Sequence, residues 1–293
     1  MQARACLEFP GAEAMQRKHP CAGSTTAAVT LALFLLIFTL VTVYYFLAKP
    51  WFPEPINEMG RRIDAQFVNT LWITGIVFVA SQLGLAWAVF RYRDRGQRAT
   101  YSHGSNKMEV IWTLATVVMF LGLGIHSQSI WASLHFTQAP PDALKIEITG
   151  EQFAFNFRYA GADGKFGVSK PELMRASNPV GLDPSDAATV DDLVLPIMAV
   201  PVNEPVELIL RSKDVTHAFN VRELRLRQDM VPGMVIRVHF TAEKTGTYEI
   251  ACVELCGLGH QRMRSFLQVL SRPDYEKWLR DQAAPMDEEP PGQ

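Results

Sequence analysis

The chain has 293 residues, 48% of them hydrophobic and 20% charged, a size that admits one or two domains. Its four cysteines form no framework of the kind that staples a small disulfide-rich fold. Residues 1–137 carry 11 Lys and Arg against 7 Asp and Glu, whereas residues 138–293 carry 17 against 23, an acidic balance that argues against nucleic acid and favours a cationic partner.

In chain order, residues 1–25 read as a cytoplasmic tail holding Cys6 and Cys21 as free thiols, with Arg4, Arg17 and Lys18 as its basic groups. Three apolar runs follow, at about 26–48, 67–90 and 108–134. Each is long enough to cross a bilayer, which takes roughly 20 helical residues at ~1.5 Å rise. Only helices fit, because backbone groups facing lipid must be satisfied within their own segment. The first run could instead be a signal peptide, but it exceeds the 7–15 apolar residues usual for one and no small-x-small cleavage site follows it. A retained span is expected. The loop between the second and third runs holds Arg91, Arg93, Arg95, Arg98 and Lys107 against Asp94, and such short basic loops stay inside. Three crossings then deliver everything after Leu134 to the outer face, with Trp51, Trp112 and Trp131 at span ends as interfacial rings.

From 138 to 271 the pattern changes to short alternating segments punctuated by Gly, Pro, Asn and Asp, as in a β-sandwich or barrel. Strands are expected at Leu144–Thr149, Gln152–Tyr159, Leu193–Ala199, Val206–Arg211, Met234–Phe240, Thr247–Cys252 and Ser265–Leu270. Residues 160–192 read as a long acidic loop. A short helix from Arg272 through Trp278 and an unstructured tail complete residues 272–293.

Chemistry concentrates in Cys252-Val253-Glu254-Leu255-Cys256-Gly257-Leu258-Gly259-His260-Gln261-Arg262-Met263. Two thiolates, an imidazole and a thioether are soft ligands, and copper prefers them. His217, in Asp214-Val215-Thr216-His217, lies on an expected loop after the strand ending at Arg211 and adds a second imidazole. A mononuclear blue-copper site needs one Cys, two His and a Met; a second Cys allows both thiolates to bridge two coppers, with one His on each. Structural zinc, a local disulfide and a single copper are the competing readings. His239 reads as an ordinary strand residue, and His126 and His135 as groups near the outer end of the third span.

These motifs resemble subunit II of the haem–copper cytochrome c oxidases, over roughly Phe67 to Leu270. The strongest parts are Asp214–His217, Asp229-x-x-Pro232-Gly233 and Cys252–Met263. The resemblance implies transmembrane helices followed by a cupredoxin-like Greek-key sandwich on the periplasmic face of a bacterial-type membrane. It implies a binuclear CuA centre held by His217, Cys252, the main-chain oxygen of Glu254, Cys256, His260 and Met263. The Glu254 side chain would share a magnesium ion with subunit I. Electrons would pass from a separate c-type cytochrome to CuA and then to haem in subunit I, where oxygen is reduced with proton pumping; subunit III is a further implied partner. No Cys-x-x-Cys-His occurs, so haem is expected only in the partner subunit. Glu109 matches a carboxylate at the entrance of a proton path, and an interfacial carboxylate is the alternative. Phe153 and Phe155 stand in the aromatic run where the family has Trp at the electron entry, and Met234 stands where Arg is common. A CuA-bearing subunit of a nitric oxide reductase is the alternative function.

Overall fold

The computed structural model describes residues 24–95 and 100–283. The expected tail with Cys6 and Cys21, Arg98 of the basic loop, and the terminal residues after Ala283 lie outside them. The described residues fall into two compact units, the first on either side of the stretch 52–66 and ending at Leu123, the second made of 52–66 and the described residues from Gly124 on.

The first unit is helical. Helices α1 (Thr25–Ala48), α2 (Glu58–Arg91) and α3 (Asn106–His135) are each long and apolar enough to cross a membrane. Their hydroxyls are satisfied internally, as an apolar surrounding requires: Thr30 Oγ1 donates to Thr26 O, Thr74 Oγ1 to Thr70 O and Ser81 Oγ to Val77 O. At 34 residues α2 is about 51 Å long, more than a hydrocarbon core of ~30 Å needs. Its surplus lies at the charged start, Glu58 to Asp64, which belongs to the second unit.

The second unit is a two-sheet β domain. Its strands are β1 (Leu144–Glu151), β2 (Ala154–Tyr159), β3 (Leu193–Leu195), β4 (Met198–Pro201), β5 (Pro205–Ser212), β6 (His217–Val221), β7 (Leu226–Met230), β8 (Ile236–Thr241), β9 (Gly246–Cys252) and β10 (Arg264–Leu270). One sheet runs β3-β2-β1-β5-β8 and the other β4-β10-β9-β6-β7. β1 pairs with β5, and β4 with β10, in parallel; the other pairings are antiparallel. Ile146, Ile148, Phe157, Leu208 and Leu210 from the first sheet and Phe219, Ile250, Leu267 and Val269 from the second fill the space between. Tyr159 ties the layers, its hydroxyl donating to Ala199 O at 2.9 Å and accepting from Ala199 N–H at 2.8 Å. The last helix, α4 (Arg272–Ala283), extends past the expected end at Trp278 and sets Trp278 edge-on against Tyr159 at 5.6 Å.

Two expectations need correction. Leu193–Ala199 is not one strand: Pro196, which has no N–H to give a ladder, separates β3 in one sheet from β4 in the other. The stretch from His217 to Met230 is a hairpin rather than a loop. Its charged sequence hides the strands, and its turn is closed by Arg225 in the left-handed region at φ 52°.

Two further segments belong to the β domain although neither reads as strand. Residues 160–192 are held by a buried ion cluster: Arg158 is 1% exposed, bonds Asp192 and Gly167 O, and faces Glu147 at 3.4 Å. The segment before α2 forms the other. Ile56, 2% exposed, enters the core, accepts from Glu243 N–H at 2.7 Å and donates its own N–H to Glu223 O at 3.0 Å. Asn57 caps α2 through Gly60 N–H, and Arg225 grips Asp64 with two bonds of 2.8 and 2.7 Å. A β domain bounded at 138 leaves this segment out.

Candidate metal centre

Two neighbouring strands set one half of the site. His217 opens β6, Cys252 closes β9, and Phe219 pairs with Cys252 across the ladder. His217 is fully buried and Cys252 is 7% exposed. Asp214 Oδ1 lies 2.8 Å from His217 Nε2, so that nitrogen carries the proton and Nδ1 points its lone pair toward Cys252 Sγ, 4.0 Å away. Asp214 is fixed in turn by the N–H groups of Gln152 and Val215. Burial works to raise its carboxyl pKa, but those bonds and His217 outweigh burial and leave it lowered.

A loop folded on itself sets the other half. Cys252 N–H donates to Met263 O at 3.1 Å, and a single 3-10 turn over His260–Arg262 returns the chain to β10. Inside the loop Cys256 Sγ lies 3.9 Å from Cys252 Sγ, 3.6 Å from His260 Nδ1 and 3.8 Å from Met263 Sδ. The carbonyl oxygen of Glu254 sits 3.2 Å from Cys252 Sγ. A sulfur separation of 3.9 Å is no disulfide, whose S–S bond is about 2.05 Å. The nitrogen of His217 and the sulfurs of Cys252 and Cys256 lie within 4.8 Å of one another. All six expected ligand positions are therefore brought together.

That donor set fits a metal that neutralises thiolates. Burial first, and then the neighbouring Cys252, push the Cys256 thiol up to about 11, so without a cation it stays protonated at neutral pH.

Surrounding residues support the loop in ways the sequence did not announce. Gln152 Nε2 donates to Cys256 O, and the Phe153 ring lies against Gly257 and Gly259. A Cβ on Gly259 would come within 2.4 Å of that ring, so the close approach requires glycine. Phe153 is 39% exposed, whereas Phe155 is core, with its ring edge-on to Phe219. Arg227 holds the Glu254 carboxylate at 3.2 Å. Glu109 lies in the first turn of α3, outside this unit. Asp214 three residues before His217, and Gln152 just before Phe153, were the available signals for the supporting bonds.

A β-sandwich carrying a buried cluster of nitrogen and sulfur donors, on a chain with three membrane-length helices, defines a membrane-anchored metal-binding subunit. Residues 144–270 match the family described as cytochrome c oxidase subunit II, periplasmic domain. The alternative cytochrome c oxidase subunit 2 of Bradyrhizobium diazoefficiens is 36% identical over 257 residues, covering 87% of this chain and 92% of that protein. Cytochrome c oxidase subunit 2 of Thermostichus vulcanus is 27% identical, covering 85% and 84%. The solved periplasmic domain of subunit II of the cytochrome oxidase of Bradyrhizobium japonicum is 25% identical, covering 50% of this chain and 96% of that one, with a TM-score of 0.36. The chain belongs to the cytochrome c oxidase subunit II family. It is a membrane subunit with a periplasmic two-sheet β domain, and membership of an oxidase as its subunit II implies subunit I as a partner.

Proposed function

We propose that the cluster is a binuclear CuA centre held by His217, Cys252, the Glu254 carbonyl, Cys256, His260 and Met263, and that it receives electrons from a separate c-type cytochrome. The observation that carries this is the second buried thiol, 3.9 Å from the first, with an imidazole beside each. One copper leaves a thiolate unused, and zinc has no use for Met263. The bound copper pair supplies a one-electron store shared over both metals and both sulfurs.

The protein's own contribution is to hold the donors still. Asp214 fixes the His217 tautomer, Gln152 anchors the Cys256 carbonyl, and the sheet ladder sets Cys252. A site that does not rearrange between charge states transfers an electron with little nuclear motion. Phe153, exposed and stacked on the ligand loop, is the proposed entry point; Phe155 is too deep for that role. Electrons then pass to haem in subunit I, where oxygen reduction is coupled to proton pumping, with Glu109 at the mouth of a proton path and subunit III as a further neighbour. Glu254 offers its side chain to a magnesium ion shared with subunit I; Arg227 must release or share that carboxylate.

The test is copper quantification and electron paramagnetic resonance on the full chain in detergent. Two coppers per chain with one unpaired electron spread over both are expected, and Cys252→Ser or Cys256→Ser abolishes that signal. A single copper, or none, overturns the assignment.

A further inference from the structure

An open cavity of about 780 Å³ lies between the linker 134–141 and the outer face of the first sheet. Register explains its lining. Lys145 on β1 is paired with Glu207 on β5, and Glu207 with His239 on β8, so the three form one cross-strand row. Ile146, Leu208 and Val238, next along each strand, point the opposite way, the first two fully buried in the core. Arg237, two residues before His239, shares the outward face and pairs with Glu207 at 3.0 Å. His135, at the end of α3, and Arg227, at the edge of β7, complete the polar wall.

The charges do not cancel. Lys145 and Arg237 are cations, and Glu207 is the only carboxylate among the described residues lining the cavity; Arg227, also in the lining, is already paired with Glu254 and Asp229. Glu207 is committed to Arg237, and no described acid pairs with Lys145. Such a wall suits an anion with several acceptor oxygens.

Its position narrows the choice of anion. The linker wall continues directly from α3, where Trp131, His135 and Phe136 form a cluster of rings at the outer end of the span. Rings of this kind settle at headgroup level. Below them on α3, Ile125 is 72% exposed, as is Phe136 beside the cavity, so an acyl chain has an apolar surface to follow. We infer that this cavity binds the phosphate of an anionic phospholipid from the outer leaflet, with Lys145 and Arg237 as the principal contacts. The feature is separate from the metal cluster and does not depend on copper.

Native mass spectrometry of the full chain in detergent tests this, with phosphatidylglycerol, phosphatidylcholine and inorganic phosphate added separately. One bound phosphatidylglycerol is expected, with phosphatidylcholine and phosphate failing to form a comparable complex. The Lys145→Gln/Arg237→Gln double variant should weaken the adduct about tenfold or more. Both side chains are exposed, so folding should survive; an unchanged melting curve checks this, and the single Lys145→Gln variant gives an intermediate loss. Equal binding of the two lipids, or an adduct indifferent to both variants, overturns the proposal. Phosphate that binds alone and displaces the lipid overturns the lipid source.

Discussion

Asp214 never touches the expected metal ligands' sulfurs, yet it decides which nitrogen His217 presents. Asp214→Asn keeps the shape but replaces a carboxylate acceptor with an amide that can turn its NH2 to the ring. Copper affinity should fall by about 10–100-fold, read from a copper titration, with the fold unchanged by circular dichroism. A titration curve matching the wild type would show that the bond does not orient the ring. Asp183 poses a different question. Its carboxyl is lowered to about 2 by Lys170 first and then by the hydroxyl and N–H of Ser185. A group lowered on folding contributes stability that is complete above its ordinary 3.8 and disappears as pH falls through about 2. Amides of the acidic loop should therefore exchange faster as pH drops through that window, after correction for intrinsic rates. Asp183→Asn should remove the step. The Asp183–Lys170 pair is partly exposed on its lysine side, so added salt should shrink the effect.

At the scale of elements, the most consequential contact is the pair of hydrogen bonds that Arg225 donates to Asp64, joining the β6–β7 turn to the start of α2. Arg225→Ala leaves a part-buried carboxylate without its partner and should cost about 1–3 kcal/mol. Hydrogen exchange at the amides of residues 56–64 should rise more than exchange in β9. Uniform change, or none, would mean that Ile56 alone holds the segment. Much of this architecture was legible in advance. The three apolar runs became helices, and Thr247–Cys252 alternates between outward Thr247 and Glu249 and buried Ile250 and Cys252. Those patterns are local, which is why a linear reading catches them. The β6–β7 hairpin escaped because Arg222, Glu223, Arg225 and Arg227 mask its inward Leu224 and Leu226. Ile56 escaped because nothing nearby in sequence reveals that a lone apolar residue will plug a core built more than 80 residues later. The metal cluster was largely legible, since Cys252 to Met263 are close in sequence and Asp214 lies three residues before His217; the Gln152 and Arg227 contacts were not, because each joins segments far apart in the chain.

For the whole molecule, copper and folding are linked. A ligand that binds only the native state adds about 2.7 kcal/mol once its free concentration reaches a hundred times Kd. The melting temperature of the full chain should therefore climb with added copper, and Cys256→Ser should flatten that rise. A melting curve indifferent to copper would mean that the sandwich does not hold the ion through its native donors. The sheets supply the rest of the stability through their shared interior, in which Phe157, Phe219, Leu208 and Leu210 are all fully buried.

The insertion of Ile56 bears on how the periplasmic portion can be handled. A recombinant piece that starts after α3 would lack its plug and would strand Glu243 N–H and Glu223 O, both of which need Ile56's backbone. Such a piece should be looser than the same residues in the intact chain. Grafting residues 53–64 back on, or adding them as a separate peptide, should tighten it, because part of what reads as a loop between two membrane-length helices packs into the β domain.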